Sequence, residues 1–425
     1  MGKLQGNVMG KPESVGLSSK RLAILDQVMK ERYVDTGLLP GFHTQVWRRG
    51  ELAHNGMAGS MDIERNKPWR EDAIVRIYSM TKPITSVALM MLVEEGKVGL
   101  EDNVHTHIPS WKNLRVYQSG VPSLVENTGG QFITTPCKRP MKVVDLVTHT
   151  SGLTYGFMWR TAVDAEYRRH KINDFQTPGG LDAFIEQLAK IPLDFSPGDN
   201  WNYSVSIDVM GYLIQKLSGM TFGEFLRTRL FDPLGMKDTA FSVPASKMDR
   251  FASCYMPKQG GGLKIQDDAG KSTYAEPPKL ESGGGGLVST MHDYMRFCRV
   301  MLNGGTLDGV QILSPKTVKM FGLNLLPDNK LLADMSAAAT FTEAGYNGVG
   351  FSIGCGVTMD LSQTRIPGTK GEFFWGGAAS TAFWVDPKED LAVVFMTQVM
   401  GTDARLTLRR DLRTLVYSAM TESFA

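Results

Sequence analysis

Ser79-Met80-Thr81-Lys82 follows the β-forming run Ile74-Val75-Arg76-Ile77 and leads into an apolar helical pattern at 84–93 that stops at Gly96. A serine at a helix start and a lysine three residues on share one face of the helix, within reach of each other. A neutral amine placed there can take the hydroxyl proton and replace histidine as the base. Lysine ordinarily titrates near about 10.4, so such a site must lower it by burial or by nearby positive potential. The positive end of the helix supplies that potential, and it also favours a developing oxyanion. No other lysine in the chain has a serine three residues before it.

Outward from this tetrapeptide the chain divides by pattern. Ser19 is placed to cap a helix in which Leu22, Leu25, Val28 and Met29 form one face, ending near Gly37. Residues 42–47 and 52–57 then alternate as two strands joined by the polar turn Arg48-Arg49-Gly50-Glu51. Strand patterns return at 349–359, 373–385 and 391–398, the last two joined by Asp386-Pro387-Lys388-Glu389-Asp390, and a final helix is expected over about 403–420. The middle is different. It carries helical faces such as Leu181, Phe184, Ile185, Leu188 and Ile207, Met210, Leu213, Ile214, Leu217. Two Gly-, Pro-, Lys- and Ser-rich stretches near 113–140 and 257–283 read as irregular surface loops. Strands at both ends and helices between them predict an α/β (α+β) chain. Residues 1–104 and 290–425 would form one discontinuous sheet domain, and 105–289 an inserted, mainly helical domain.

Composition excludes several functions. The 425 residues are 42% hydrophobic and 21% charged, a globular balance that rules out a wholly disordered or fibrous chain. Lys and Arg number 46 against 44 Asp and Glu, and no basic stripe forms, so no nucleic-acid partner is expected. The apolar run at 84–93 is far shorter than the roughly 20 residues that span a bilayer, so no membrane segment is expected. Residues 1–20 are polar and Gly-rich without an apolar core, the pattern of a cytoplasmic protein with no signal peptide. Cys137, Cys254, Cys298 and Cys355 lie too far apart for a zinc or disulfide framework. His105 and His107 read as a surface pair, so neither metal nor other cofactor is expected.

Two further motifs are decoys on their context. Gly350-Phe351-Ser352-Ile353-Gly354 matches GxSxG, but a nucleophile elbow needs a helix next and a histidine downstream. The next five residues, Cys355-Gly356-Val357-Thr358-Met359, read as strand, and the last histidine of the chain is His292. Gly283 to Gly286 is no phosphate loop, because neither Lys-Ser nor Lys-Thr follows; it reads as a turn before a helix.

Five segments taken in order resemble one family. They are Ser79-Met80-Thr81-Lys82; Leu146-Val147-Thr148-His149-Thr150-Ser151-Gly152-Leu153; Phe195-Ser196-Pro197-Gly198 leading to Tyr203-Ser204; Gly283-Gly284-Gly285-Gly286-Leu287-Val288-Ser289-Thr290; and Trp375-Gly376-Gly377. Together they are similar to the serine β-lactamase and penicillin-binding protein superfamily, and most closely to the family VIII carboxylesterases, which share the class C β-lactamase fold. The resemblance implies an antiparallel sheet flanked by helices, with a mainly helical domain inserted. It implies Ser79 as nucleophile, Lys82 as its basic partner and Tyr203 as the tyrosine that shares proton transfer. The backbone N–H groups of Ser79 and Ala378 would form the oxyanion hole, and Trp375, Gly376 and Gly377 would border the substrate. His149 would belong to a structural turn.

Two departures from the superfamily bear on substrate. Lys-Thr-Gly is replaced by Trp375-Gly376-Gly377, which removes a cation from the carboxylate end of a β-lactam. The class C asparagine two residues after the tyrosine is Val205. Losing a cation and an amide and gaining an indole favours neutral, apolar substrates. The expected activity is hydrolysis of small-molecule esters with short acyl chains through an acyl-enzyme, with weak β-lactam hydrolysis as a side reaction. The alternatives are a class C-like β-lactamase or DD-peptidase, an acyltransferase on the same fold, and a non-catalytic scaffold.

Overall fold

The computed structural model describes residues 10–121, 131–172, 174–338, 345–402 and 404–424. The N-terminal nonapeptide, 122–130 within the expected 113–140 loop, 339–344 and the expected helix start at 403 lie outside the described residues.

The β-formers at both ends of the chain meet in one sheet. Its strands are β1 (Gly41–Arg48), β2 (Glu51–Asp62), β3 (Lys67–Pro68), β4 (Val349–Phe351), β5 (Gly356–Thr358), β6 (Phe373–Gly376), β7 (Ala382–Asp386) and β8 (Leu391–Met396). Their order is β4-β5-β6-β7-β8-β1-β2-β3, antiparallel throughout. The two ends join where β1 pairs with β8, from His43 opposite Met396 to Arg48 opposite Leu391. The β1–β2 turn holds Arg49 and Gly50 at positive φ, the conformation that matches the twist of a two-residue hairpin.

Successive strand residues face opposite sides, and both sides are covered. Phe42, Val46, Trp384, Val393 and Phe395 pack with Leu22, Leu25 and Met29 of α1 (Ser19–Met29) and Leu408, Leu412 and Val416 of the C-terminal helix (Arg405–Ser418). Ala392, Val394, Met396 and Phe383 face the other way, into the larger core that holds Tyr294, Phe297 and Cys298. α2 (Thr81–Glu94) runs through this core, with every residue from Thr81 to Leu92 buried. A helix apolar on all sides is a core helix. α3 (Ser206–Ser218) and α4 (Met291–Leu302) supply further walls of the same core. Among the described residues no helix is long and apolar enough to cross a membrane.

The structure departs from the sequence reading in three places. The side chain that caps α1 is Ser18, which accepts from Arg21 N–H, and not Ser19. The stretches 349–359 and 373–385 are each two strands. The first breaks at 352–355, where Gly354 takes φ +67°, and the second at 377–381, where Ser380 takes φ +68°. The two stretches read as irregular loops carry hairpins, Arg115–Val121 with Gln131–Pro136 and Cys254–Pro257 with Leu263–Asp267. The first hairpin lies near the surface, and polar groups such as Arg115 Nε on Thr134 Oγ1 (2.7 Å) help fasten it, so it lacks the apolar alternation that marks a strand.

Candidate active site

Ser79 lies on a 3₁₀ turn, Tyr78–Met80, that runs straight into α2. The short strand Val75–Arg76 pairs with Val288–Ser289 and draws the Gly283–Gly286 loop across the start of that helix. Ile77 N–H donates to Leu287 O (3.1 Å), and Leu287 N–H donates back to Thr81 Oγ1 (3.2 Å). The glycines are there for close approach. A Cβ on Gly283 would come within 2.6 Å of Ile207 O, and one on Gly284 within 2.8 Å of the Tyr155 hydroxyl. Tyr78 has φ +41°, a conformation that is strained for a bulky residue and sits one position before the serine.

Lys82 is 1% exposed and Ser79 is 9% exposed. Lys82 Nζ stands 3.3 Å from Ser79 Oγ and donates to Gly284 O at 2.6 Å. It lies 4.5 Å from the centre of the Tyr203 ring and 5.4 Å from that of Tyr155. Tyr203, just ahead of α3, is buried among Trp201, His149, Tyr155 and Trp375. Trp375 Nε1–H donates to the Tyr203 hydroxyl oxygen at 3.3 Å. The structure thus brings together Ser79, Lys82, Tyr203 and Trp375.

The segment after Trp375 closes on the same turn. A Cβ on Gly377 would collide with Ile77 O, so the end of β6 passes beside the residues that precede Ser79. Among the described residues, the N–H groups of Ser79 and Ala378 donate to no acceptor. Behind the strand, Arg409 of the C-terminal helix donates to Gly377 O (3.0 Å) and Thr381 O (2.7 Å), clamping both ends of the turn that carries Ala378.

His149 is fully buried at φ +58°, with Nδ1 3.1 Å from Ser204 Oγ and its ring centre 4.8 Å from that of Tyr203. Burial, aided by the charge of Lys82, holds its imidazolium well below the ordinary range. Ser352 lies in the β4–β5 turn, fully buried, and donates to Met320 O at 2.8 Å.

Three residues at this site escaped the sequence reading. Asp208 of α3 is buried under the glycine loop. It accepts from Ser282 Oγ and from Gly284 N–H (3.0 Å), and Gly284 O accepts from Lys82, so a single residue links the two side chains. Burial raises its pKa, against the opposing pull of the Lys82 charge and of those hydrogen bonds. An acid inside the apolar run Ile207-Asp208-Val209-Met210 was the available signal. Tyr155 lies two residues beyond Leu153, where the second family-like segment ends. Arg409 sits among other arginines of a terminal helix, and no local pattern marks it.

A family model described as Beta-lactamase matches residues 25–418. An uncharacterized protein of Mycobacterium tuberculosis (strain CDC 1551 / Oshkosh) is 34% identical over 367 residues, covering 86% of this chain and 87% of that one. Esterase EstB of Burkholderia gladioli is 28% identical over 425 residues, covering 96% of each. Among solved structures, EstCE1, a hydrolase with promiscuous acyltransferase activity, superposes with a TM-score of 0.74 at 23% identity, covering 94% of this chain and 99% of that one. With the family model spanning nearly its whole length, the chain belongs to the beta-lactamase family, within the serine β-lactamase and transpeptidase superfamily.

Proposed function

We propose that the chain is a serine carboxylesterase of the family VIII type that hydrolyses small-molecule esters through an acyl-enzyme. The observation that carries this reading is the grouping of Ser79 Oγ, Lys82 Nζ and Tyr203 in one buried cluster beneath Trp375. Ser79 Oγ attacks the ester carbonyl carbon while Lys82, as the neutral amine, takes the hydroxyl proton. A neutral amine keeps N–H donors for Gly284 O while its lone pair faces Ser79. The oxyanion is held by the N–H groups of Ser79 and Ala378, which have no partner among the described residues. The leaving alkoxide receives a proton by way of Tyr203, whose oxygen is aimed by the Trp375 indole N–H. Water activated by the same pair then attacks the acyl carbon, and the carboxylic acid departs.

Ester over β-lactam is supported by the local chemistry. Trp375 occupies the place of a carboxylate-binding lysine and turns its one polar atom towards Tyr203. A carboxylate bound there would lose hydration without gaining that cation. The similarity to an esterase along the whole chain agrees.

The test is a serine-directed phosphonate followed by mass spectrometry of the digested protein, paired with rates on short-acyl esters and a chromogenic cephalosporin. Modification of the Ser79 peptide, with ester turnover far above cephalosporin turnover, is expected. Efficient cephalosporin hydrolysis would make the chain a β-lactamase. Acyl transfer to an added alcohol faster than to water would make it an acyltransferase. An unlabelled Ser79 would remove the enzymatic reading.

A further inference from the structure

Tyr155 is buried against Lys82 and Tyr203 on its inner side. Phe157 stacks on it, with ring centres 4.7 Å apart and planes inclined by 19°, yet Phe157 is 53% exposed. Trp159, two residues on, is 76% exposed. An isolated exposed apolar side chain needs no explanation, but a run of three aromatics leading from a buried site to the surface does.

The loop is also held firmly. Arg168 donates to Gly156 O and to Asp164 Oδ1 (2.6 Å), and its guanidinium lies 3.7 Å from the centre of the Trp159 ring. Asp164 Oδ2 accepts from the N–H groups of Arg160 and Thr161, both at 2.7 Å. Trp159 itself takes φ +51°, a left-handed conformation that is rare for a bulky side chain. The chain keeps a largely exposed indole, stacked by Arg168, at a left-handed position on a braced loop. Rigid aromatic surface binds apolar groups at low entropic cost.

We propose that Tyr155, Phe157 and Trp159 form a binding shelf for one half of the ester, and that the substrates this site prefers carry an aromatic or extended apolar group on that half. The inference rests on the ester-hydrolase reading and narrows its substrate class. Tyr155 borders the groups that move protons, Phe157 continues its face outward, and Trp159 marks the outer end. The bound group packs on Phe157, where offset or edge-to-face ring packing adds to burial.

Three neutral esters test it, followed by titration of the released acid: ethyl acetate, 2-phenylethyl acetate and ethyl 3-phenylpropanoate. The second puts the ring on the alcohol and the third on the acyl group. The wild type is expected to prefer one of the two aromatic esters to ethyl acetate in kcat/KM. Phe157→Ala should lower that preference about tenfold, chiefly through KM, the scale on which an apolar contact discriminates between substrates. Phe157→Tyr should restore most of it, and Trp159→Ala should show a smaller loss in the same direction. A wild type indifferent to the ring, or variants that lower all three rates in equal proportion, would overturn the shelf while leaving ester hydrolysis standing. A wild type that hydrolyses none of the three and is not labelled at Ser79 would instead remove the underlying reading.

Discussion

Two serines in this chain carry motifs associated with nucleophiles, and their surroundings differ at every point that matters to chemistry. Ser79 sits where a strand passes through a single 3₁₀ turn into a buried helix, with an amine 3.3 Å away and a neighbouring N–H free of any acceptor among the described residues. Ser352 sits in a turn between two strands. Its hydroxyl is spent on Met320 O, and its N–H is spent on Cys355 O (2.8 Å). Gly354 N–H in the same turn donates to Val147 O (2.9 Å), which ties β4 and β5 to the segment before His149. The glycines around Ser352 thus serve a tight turn packed into the core, whereas Gly283 and Gly284 let their loop lie against Ile207 O and the Tyr155 hydroxyl, with Gly284 O on Lys82. A nucleophile is defined by an unspent hydroxyl beside a base and unspent donors; GxSxG describes only the backbone freedom that one kind of elbow requires.

The largest expected effect breaks the comparison outright. Ser79→Ala should lower ester turnover by about 10⁴-fold or more, the scale seen when a nucleophile that acts as part of a unit is removed. Ser352→Ala should keep turnover within a few-fold and cost about 1 kcal/mol of stability for the lost bond to Met320 O. Steady-state rates and urea midpoints measured on both variants separate the two serines. Comparable loss of turnover in both would give Ser352 a part in the reaction.

Next in size is the proposed base. Lys82→Arg should lower kcat by roughly 10³-fold even though the charge is kept, because a guanidinium cannot give up its proton near neutral pH. Tyr203→Phe should cost about 10²-fold, since it removes the hydroxyl that Trp375 aims while leaving the ring stack in place. If Lys82→Arg turned over normally, a positive charge alone would suffice at this position, and the proton would have to go elsewhere.

Much of this arrangement was legible in the chain because it depends on local pattern. The β-formers at 42–47, 52–57 and 391–398 are strands of one sheet, and the only SxxK falls on a strand-to-helix junction. What stayed hidden depends on contacts between distant segments. Asp208 meets Lys82 through Gly284, 76 positions further along the chain, and Arg409 of the C-terminal helix reaches Gly377 at the end of β6. The hairpin at Arg115–Val121 buries no residue fully and is joined by polar bonds and one Tyr117–Phe132 ring contact, so no alternating apolar face marks it. The broken strands at 352–355 and 377–381 show the reverse error: β-rich composition carried the pattern across turns that positive-φ residues impose.

Arg409 gives a smaller and more specific prediction. Its guanidinium holds both ends of the turn bearing Ala378, so Arg409→Met should loosen the proposed oxyanion donor without touching substrate. Outright removal of one such donor costs about 10²–10³-fold in kcat, so loosening it should cost roughly tenfold in kcat with little change in KM. Arg409→Lys should recover part of the loss, because one guanidinium nitrogen serves both carbonyls and an ammonium has donors for both, on a shorter and less rigid side chain. An effect confined to KM would place Arg409 with substrate binding instead.

The smallest effect concerns the residue that touches both regions. The His149 ring lies 4.8 Å from that of Tyr203, beside the Ser79 site, and 5.4 Å from that of Phe351, the residue before Ser352. A histidine between two motif serines would look like a base for either. Yet its Nδ1 is engaged by Ser204 Oγ, and its Nε2 is buried with no hydrogen-bond partner among the described residues. Burial first, and the Lys82 charge second, keep it neutral in the fold. In the unfolded chain it titrates near about 6.5. Below that pH the unfolded state binds a proton that the folded state refuses, so stability is intact above about pH 6.5 and falls as pH drops towards the depressed folded value, by at most about 1.4 kcal/mol per pH unit. His149→Asn tolerates the left-handed φ and keeps a polar group for Ser204, so it should still fold. Its unfolding free energy between pH 7 and pH 5, followed by urea titration, should fall less steeply than that of the wild type. Part of the slope will remain, because His43 is held below its ordinary range by burial and loses stability in the same direction. Parallel slopes in the two proteins would mean that His149 accepts a proton inside the fold, and a chargeable imidazole in contact with Tyr203 would then have to be considered as part of the proton-transfer machinery.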